Sequence, residues 1–233
     1  VNSGKTRDSY HNDDVHGDRI RVLKNLMAFD DMPLAEPLLV VTSIQALLQP
    51  VPEKESLRQA TRTLKTGQRV DIDDLQRWFV ENGYHAASAI ELPGEFSRHG
   101  GILDIFAPEW DQPIRVEFWD DEIESMRLFD VRTQRSIEPR TQLELTSIKV
   151  FYQGQDHLAS YLPSGSCTTL VELGELDRQA REYIGRAADY QQCHGVHEVL
   201  ATLTKFGHLV VSELAAGTLE HDVTLAIESV ELS

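Results

Sequence analysis

Several stretches of this sequence carry residue types that do chemistry in other settings. Ser3-Gly4-Lys5-Thr6 has the ending of a phosphate-cradling loop, in which backbone N–H groups and a lysine meet nucleotide phosphates. The full signature needs a preceding strand and a further upstream glycine, and only three residues precede Gly4. Residues 7–14 show no amphipathic period, so the helix N-terminus that would complete an anion site is not expected. The apolar run 38–41 leads into Thr42-Ser43, not into an acid that would hold Mg²⁺. ATP binding by this chain is therefore not expected. Cys193-His194-Gly195-Val196-His197 offers thiolate and imidazole groups, but a structural zinc site wants four ligands and Cys167, His208 or His221 would have to join. The acids Asp120, Asp121, Glu122 and Glu124 lack the spacing of a calcium loop and read as a solvated hairpin tip. Glu95, Asp104 and Glu117 are carboxylates without a nucleophile or cleft to serve, so hydrolysis is a poor reading.

The more informative chemistry lies on one strand, Ile114-Arg115-Val116-Glu117-Phe118-Trp119. Side chains alternate between the faces of a strand, which gives Ile114, Val116 and Phe118 one face and Arg115, Glu117 and Trp119 the other. A three-residue loop, Asp120-Asp121-Glu122, sets Phe118 against Glu124, Val116 against Met126 and Ile114 against Leu128. On the other face it sets Trp119 against Ile123, Glu117 against Ser125, and Arg115 against Arg127. Facing arginines are unfavourable unless an acid lies across them. An exposed Trp beside paired Arg has the composition of a protein-interface hot spot. The plainer alternative is that Trp119 packs under a loop and both arginines reach surface acids.

Composition limits what such a face serves. With 22 Lys+Arg against 38 Asp+Glu and a formal net charge of −16, the surface repels phosphates, which argues against generic binding to nucleic acid or anionic membranes. No apolar run reaches the roughly 18 residues of a membrane span, and the polar residues 1–20 show no secretory signal. Two cysteines make no disulfide framework, so a reducing cytoplasm is the expected compartment.

The elements that must position the face follow from periodicity. Residues 1–14 read as an irregular polar lead-in. Ile20, Leu23, Leu26 and Met27 then mark an amphipathic helix. Leu38-Leu39-Val40-Val41-Thr42 reads as a strand covered on both faces, and Ser43 as the cap of a short helix over 44–48. A second unit begins near Arg62, with a helix capped by Asp71 and closed at Asn82-Gly83. Closely spaced strands follow at 87–92, 94–98, 101–106, 114–119 and 123–129, an antiparallel meander. After a boundary in 152–165, an α/β pattern returns: strand 168–172, helices 175–188 and 196–205, strand 208–212 and a last strand near 223–227.

Pro93-Gly94-Glu95-Phe96-Ser97-Arg98-His99-Gly100-Gly101-Ile102-Leu103-Asp104-Ile105-Phe106, with the 113–125 run and Phe129-Asp130 through Thr133-Gln134-Arg135-Ser136, resembles the N-terminal region of bacterial transcription-repair coupling factors (Mfd). The same module occurs in the excision-repair protein UvrB, and Lys65-Thr66-Gly67-Gln68 through Tyr84 favours the coupling factor. The resemblance implies an α/β chain in three pieces. Residues 1–61 would end a degenerate RecA-like first domain, 62–152 would be an inserted antiparallel-sheet α+β domain that binds UvrA, and 153–233 would return to complete the incomplete doubly wound layer. It implies partner contacts at Arg115 and Trp119, and a third at His99, where the family has an arginine; Arg127, which the strand register sets against Arg115, would act beside them. Arg98 stands one residue earlier, and a one-residue shift changes face. It implies recruitment of UvrA without catalysis in this chain. The other partners would be the remaining domains of the parent, and RNA polymerase and DNA only through regions outside these residues. ATP and Mg²⁺ would serve only the parent's motor. The alternatives are a fragment of a UvrB-type ATP-dependent enzyme and an autoinhibitory structural module.

Overall fold

A computed structural model describes residues 7–31, 37–186 and 193–212 of the chain. It is a mixed α/β structure with several sheets, divided into two compact units. The first comprises 1–40 and 50–162, and the second comprises 41–49 and 163–233. Among the described residues no helix is long and apolar enough to cross a membrane.

The first unit opens with helix α1, Arg7–Asp31. The irregular lead-in expected over 1–14 is corrected from Arg7 onward, because a polar stretch without periodicity continues a helix whose following turns do have an apolar face. With it falls one argument against a phosphate site, the absence of a following helix; residues 1–6 lie outside the described ones. Ile20, Leu23 and Leu26 are buried against Val51, Leu57, Val150 and Tyr161, and the Tyr161 hydroxyl donates to the Pro52 carbonyl at 2.7 Å. Helix α2 (Ile44–Leu48), which belongs to the second unit, and helix α3 (Lys54–Gln59) follow.

Strand β1 (Thr61–Lys65) leads to helix α4 (Ile72–Glu81), whose first N–H groups are capped by the Asp71 carboxylate through Asp73 at 2.8 Å and Asp74 at 3.2 Å. Gly83 ends the helix at φ +92°, a left-handed value that glycine adopts without strain. Then come β2 (His85–Ala86), β3 (Glu95–His99), β4 (Ile102–Phe106), β5 (Ile114–Trp119), β6 (Glu122–Phe129), β7 (Ser136–Arg140) and β8 (Gln142–Thr146). Strands β2 to β7 form one six-stranded sheet in chain order, antiparallel from β3 to β7 and parallel between β2 and β3. Strand β1 pairs antiparallel with β8.

The meander expected from the strand spacing is present, with one correction. Residues 87–92 are not a strand. Three outward side chains of β3 tie this segment down as a loop. Glu95 accepts from the Glu91 and Leu92 N–H groups at 2.8 and 2.9 Å, Ser97 Oγ donates to the Ser88 carbonyl at 3.0 Å, and His99 Nε2 lies 2.9 Å from that carbonyl. Backbone groups satisfied by side chains have no need of a ladder.

Helix α4 covers one face of the sheet. Leu75 and Phe79, four residues apart on one helix stripe, are fully buried against Phe96, Leu103, Ile105 and Val116. Phe79 and Phe96 stack with centroids 4.9 Å apart. On the opposite face Ile90, Phe106 and Phe129 form a smaller cluster at one end. Apart from Ile102, Trp119 and Pro139, the remainder of that face is polar.

In the second unit, strands β9 (Cys167–Val171) and β10 (Gly207–Val211) pair parallel, joined through helices α5 (Leu173–Arg186) and α6 (Val196–Leu203). The α/β pattern of the last part is thereby realised; the strand expected at 223–227 lies outside the described residues. Leu209, Val210, Val211 and Val171 remain exposed. Ser43 caps α2 as expected, accepting from the Ala46 N–H at 3.3 Å. The strand expected at 38–42 is absent, and Leu39 and Val41 are 85% and 87% exposed. Their apolar character marks no ladder here, because no neighbouring strand pairs with them among the described residues.

Candidate partner-binding face

The face of the sheet opposite α4 is built from alternate residues of β3 to β6. In register across the strands lie Ser97, Asp104, Arg115, Arg127 and Pro139. The next row toward the β5–β6 turn holds His99, Ile102, Glu117 and Ser125. Beyond it stands Trp119.

The expected register holds for Ile114 to Glu117, so Arg115 does face Arg127. At the tip it is corrected. Phe118 pairs with Ile123 and Trp119 with Glu122, around a two-residue turn and a β-bulge. The bulge lets Phe118 and Ile123 both enter the core, at 9% and 0% exposure, where the simple three-residue loop would have set Ile123 outside. Asp120 takes φ +57° to close the turn, in the left-handed region that Asp tolerates. Trp119 is left projecting into solvent with 76% of its surface exposed.

The facing arginines are reconciled by two neighbouring acids, Asp104 on β4 and Glu117 on β5. Arg115 forms a two-point pair with Asp104, Nε to Oδ1 and Nη2 to Oδ2, each 2.7 Å. Its Nη2 also donates to Gln134 Oε1 at 3.0 Å, and its guanidinium carbon lies 4.6 Å from the centre of the Phe129 ring. The Asp104 hydrogen bonds hold the Arg115 guanidinium still more firmly charged than usual. Arg127 pairs with Glu117, which also accepts from Ser125 Oγ at 2.6 Å. The charged part of the face is therefore balanced and ordered.

His99 lies on this face, its ring 3.1 Å from Ser97 Oγ as well as bonded to the 88–92 loop. Arg98 does not. It projects to the α4 side, pairing with Asp73 and donating to Gln76 Oε1 at 2.7 Å and to the Gly100 carbonyl at 3.1 Å. The structure thus gathers Arg115, Arg127, Trp119 and His99 on one face and separates Arg98 from them. Sequence reasoning set Asp104 aside as a carboxylate with no cleft to serve and did not find it as the partner of Arg115, and it passed over Phe129 and Gln134. A signal was present: an acid in the middle of the apolar strand Ile102-Leu103-Asp104-Ile105-Phe106 requires a cation across the ladder. Among the described residues no three His, Cys, Asp or Glu side chains are placed to hold a metal ion.

The UvrB interaction domain family matches residues 63–151, which span α4 and the whole six-stranded sheet. A transcription-repair-coupling factor of Mycobacterium bovis is 33% identical over 218 residues, 88% of this chain. The chain belongs to the transcription-repair-coupling factor family. It spans 17% of the length of that mycobacterial coupling factor. The coupling factor of Bacillus subtilis is 33% identical over 111 residues, covering 48% of this chain and 9% of its own. That of Staphylococcus epidermidis is 45% identical over 85 residues, covering 36% and 7%. The sheet bearing Arg115 and Trp119 thus belongs to the interaction domain of a coupling factor.

Proposed function

We propose that this coupling-factor segment recruits UvrA, with Trp119 burying in an apolar pocket of UvrA and Arg115 and Arg127 framing the contact. The observation that carries this reading is the exposure of Trp119, 76%, at the open end of an ordered Arg/Glu face. A large aromatic that contributes nothing to its own core, beside arginines locked in place, is what a protein-interface hot spot requires. The formal charge of −16 keeps DNA from competing for the same face. In this reading the second unit belongs to a RecA-like layer of the parent. ATP, Mg²⁺ and translocation along DNA, like contacts with RNA polymerase, belong to parts of the full-length protein outside this chain, which acts in the cytoplasm.

Calorimetric titration of the chain with UvrA tests the reading. The wild type is expected to release or absorb heat at micromolar concentration, and Trp119→Ala is expected to weaken binding by roughly thirtyfold, about 2 kcal/mol. A wild type that gives no heat, or a Trp119→Ala variant that binds unchanged, removes UvrA recruitment through this face.

A further inference from the structure

We propose that Asp104 is a positioning residue for partner recognition. It fixes Arg115 so that UvrA reads only the Nη1 amino group of the guanidinium, through one acceptor oxygen, with the Asp104–Arg115 pair kept intact. The inference rests on the reading that this face docks UvrA.

The geometry of Arg115 leaves little else. A guanidinium has five N–H donors in a plane. Nε and one N–H of Nη2 are held by the two Asp104 oxygens, and the second N–H of Nη2 is held by Gln134. The Phe129 ring lies against the guanidinium carbon. The two N–H groups of Nη1 carry no bond among the described residues; one points along the end of the plane beside the Nη2 N–H that Gln134 holds, the other back toward Cδ. Asp104 is not a competitor that a partner displaces. Its side chain is only 9% exposed, against 22% for Arg115, so removing the cation would strand a buried carboxylate.

Gln134 is fixed in its turn. It sits at φ +57°, its Nε2 donates to the Val131 carbonyl at 2.8 Å, and its N–H donates to the Asp130 carbonyl at 2.8 Å. The Asp130 carboxylate in turn accepts the Thr133 N–H at 2.7 Å. Every group around Arg115 except Nη1 is therefore committed before a partner arrives, which lowers the ordering cost of binding.

The test is a double-mutant cycle on affinity for UvrA, using the whole chain and checking each variant's fold by circular dichroism. Asp104→Asn keeps the shape but replaces one acceptor oxygen by a donor, and it is expected to weaken binding about tenfold. In an Arg115→Ala background the same change is expected to have no further effect, because Asp104 acts only through Arg115. Tighter binding by Asp104→Asn would mean that the carboxylate competes with UvrA for Arg115, and would overturn the proposal. An equal loss with and without Arg115 would assign Asp104 a purely structural role and overturn it too. If Asp104→Asn does not fold, Gln134→Ala replaces it in the cycle, with a smaller loss expected that again vanishes without Arg115. The pair is also read without any partner: a slowly exchanging Arg115 Nε–H resonance is expected in the free protein and not in Asp104→Asn. If that resonance is present and affinity is lost with Trp119→Ala but not with Asp104→Asn, the positioning role fails while UvrA recruitment stands.

Discussion

Gly17 lies so close against Pro108 that a Cβ placed on it would come within 2.0 Å of the Pro108 carbonyl oxygen. Helix α1 therefore rests directly on the connection between β4 and β5, the two strands that carry Asp104 and Arg115. Arg21 and Lys24 continue the same stripe of α1, pairing with Asp111 and Glu109 of that connection. Gly17→Ala is expected to destabilise the chain by about 1–3 kcal/mol through overpacking against rigid backbone. Urea titration checks this, and an unchanged midpoint would show that the contact yields freely.

The Lys24 ammonium bridges Glu109 at 3.4 Å and Glu144 at 3.1 Å, and the Glu109 side chain is only 4% exposed. Its Oε2 has no hydrogen-bond partner among the described residues, and burial raises its carboxyl above the ordinary 4.5, opposed by Lys24. A carboxyl whose folded pKa is raised stabilises fully below its unfolded value and loses that contribution as pH climbs through the folded one. Glu109→Gln is therefore expected to gain on wild type as pH rises from about 4.5 toward neutrality, and to show no gain below it. Lys24→Met, which leaves the buried carboxylate uncompensated, is expected to cost about 2 kcal/mol at neutral pH. Thermal unfolding followed from pH 4 to 8 separates the two; parallel curves for Glu109→Gln and wild type would contradict the assignment.

Phe118 and Trp119 are chain neighbours with opposite consequences. Phe118 is 9% exposed and belongs to the α4-side core. Phe118→Ala is expected to cost about 3 kcal/mol or more, whereas Trp119→Ala is expected to change stability by less than about 0.5 kcal/mol. Denaturant midpoints of the two variants make the comparison, and a destabilised Trp119→Ala would mean that the side chain packs within the fold.

At the β5–β6 turn, Asp120 occupies the left-handed region. Asp120→Gly is expected to be neutral or mildly stabilising, and Asp120→Val to cost about 1–2 kcal/mol, because a β-branched side chain clashes there. Melting temperatures of the pair test this, and equal values would indicate that the turn rearranges.

Much of the sheet was legible because alternation is a local signal. Ile114 to Trp119 declared both their strand and their two faces, and the requirement that Val116 and Met126 share a core set the register through Glu117. The tip was not legible. A bulge relieves the conflict between a short turn and a buried Ile123, and periodicity alone cannot place an extra residue. Residues 87–92 misled for a related reason: Ile90 is apolar because it caps Phe106 and Phe129, not because it alternates in a ladder. Strand β7 was missed because it is exposed along its whole length and gives no hydrophobic period, whereas β8 was missed although Leu143 and Leu145 alternate in it as buried residues. On the face itself, the opposition of Arg115 and Arg127 was readable, but the long-range pairing of Arg115 with Asp104 needed the β4–β5 register as well.

The chain enters and leaves the interaction domain through β1 and β8, and Thr61 stands directly opposite Thr146 at the outer end of that pair. Tension applied to the flanking segments would act on neighbouring points at this one end. The load would fall on the bond from the Ser147 N–H to the Ala60 carbonyl first, then on the Thr61–Thr146 pairing and each pair inward, peeling the strands apart instead of shearing all five pairings together. The β1–β8 pair would thus open at low force by unzipping, with the six-stranded sheet outside the line of pull.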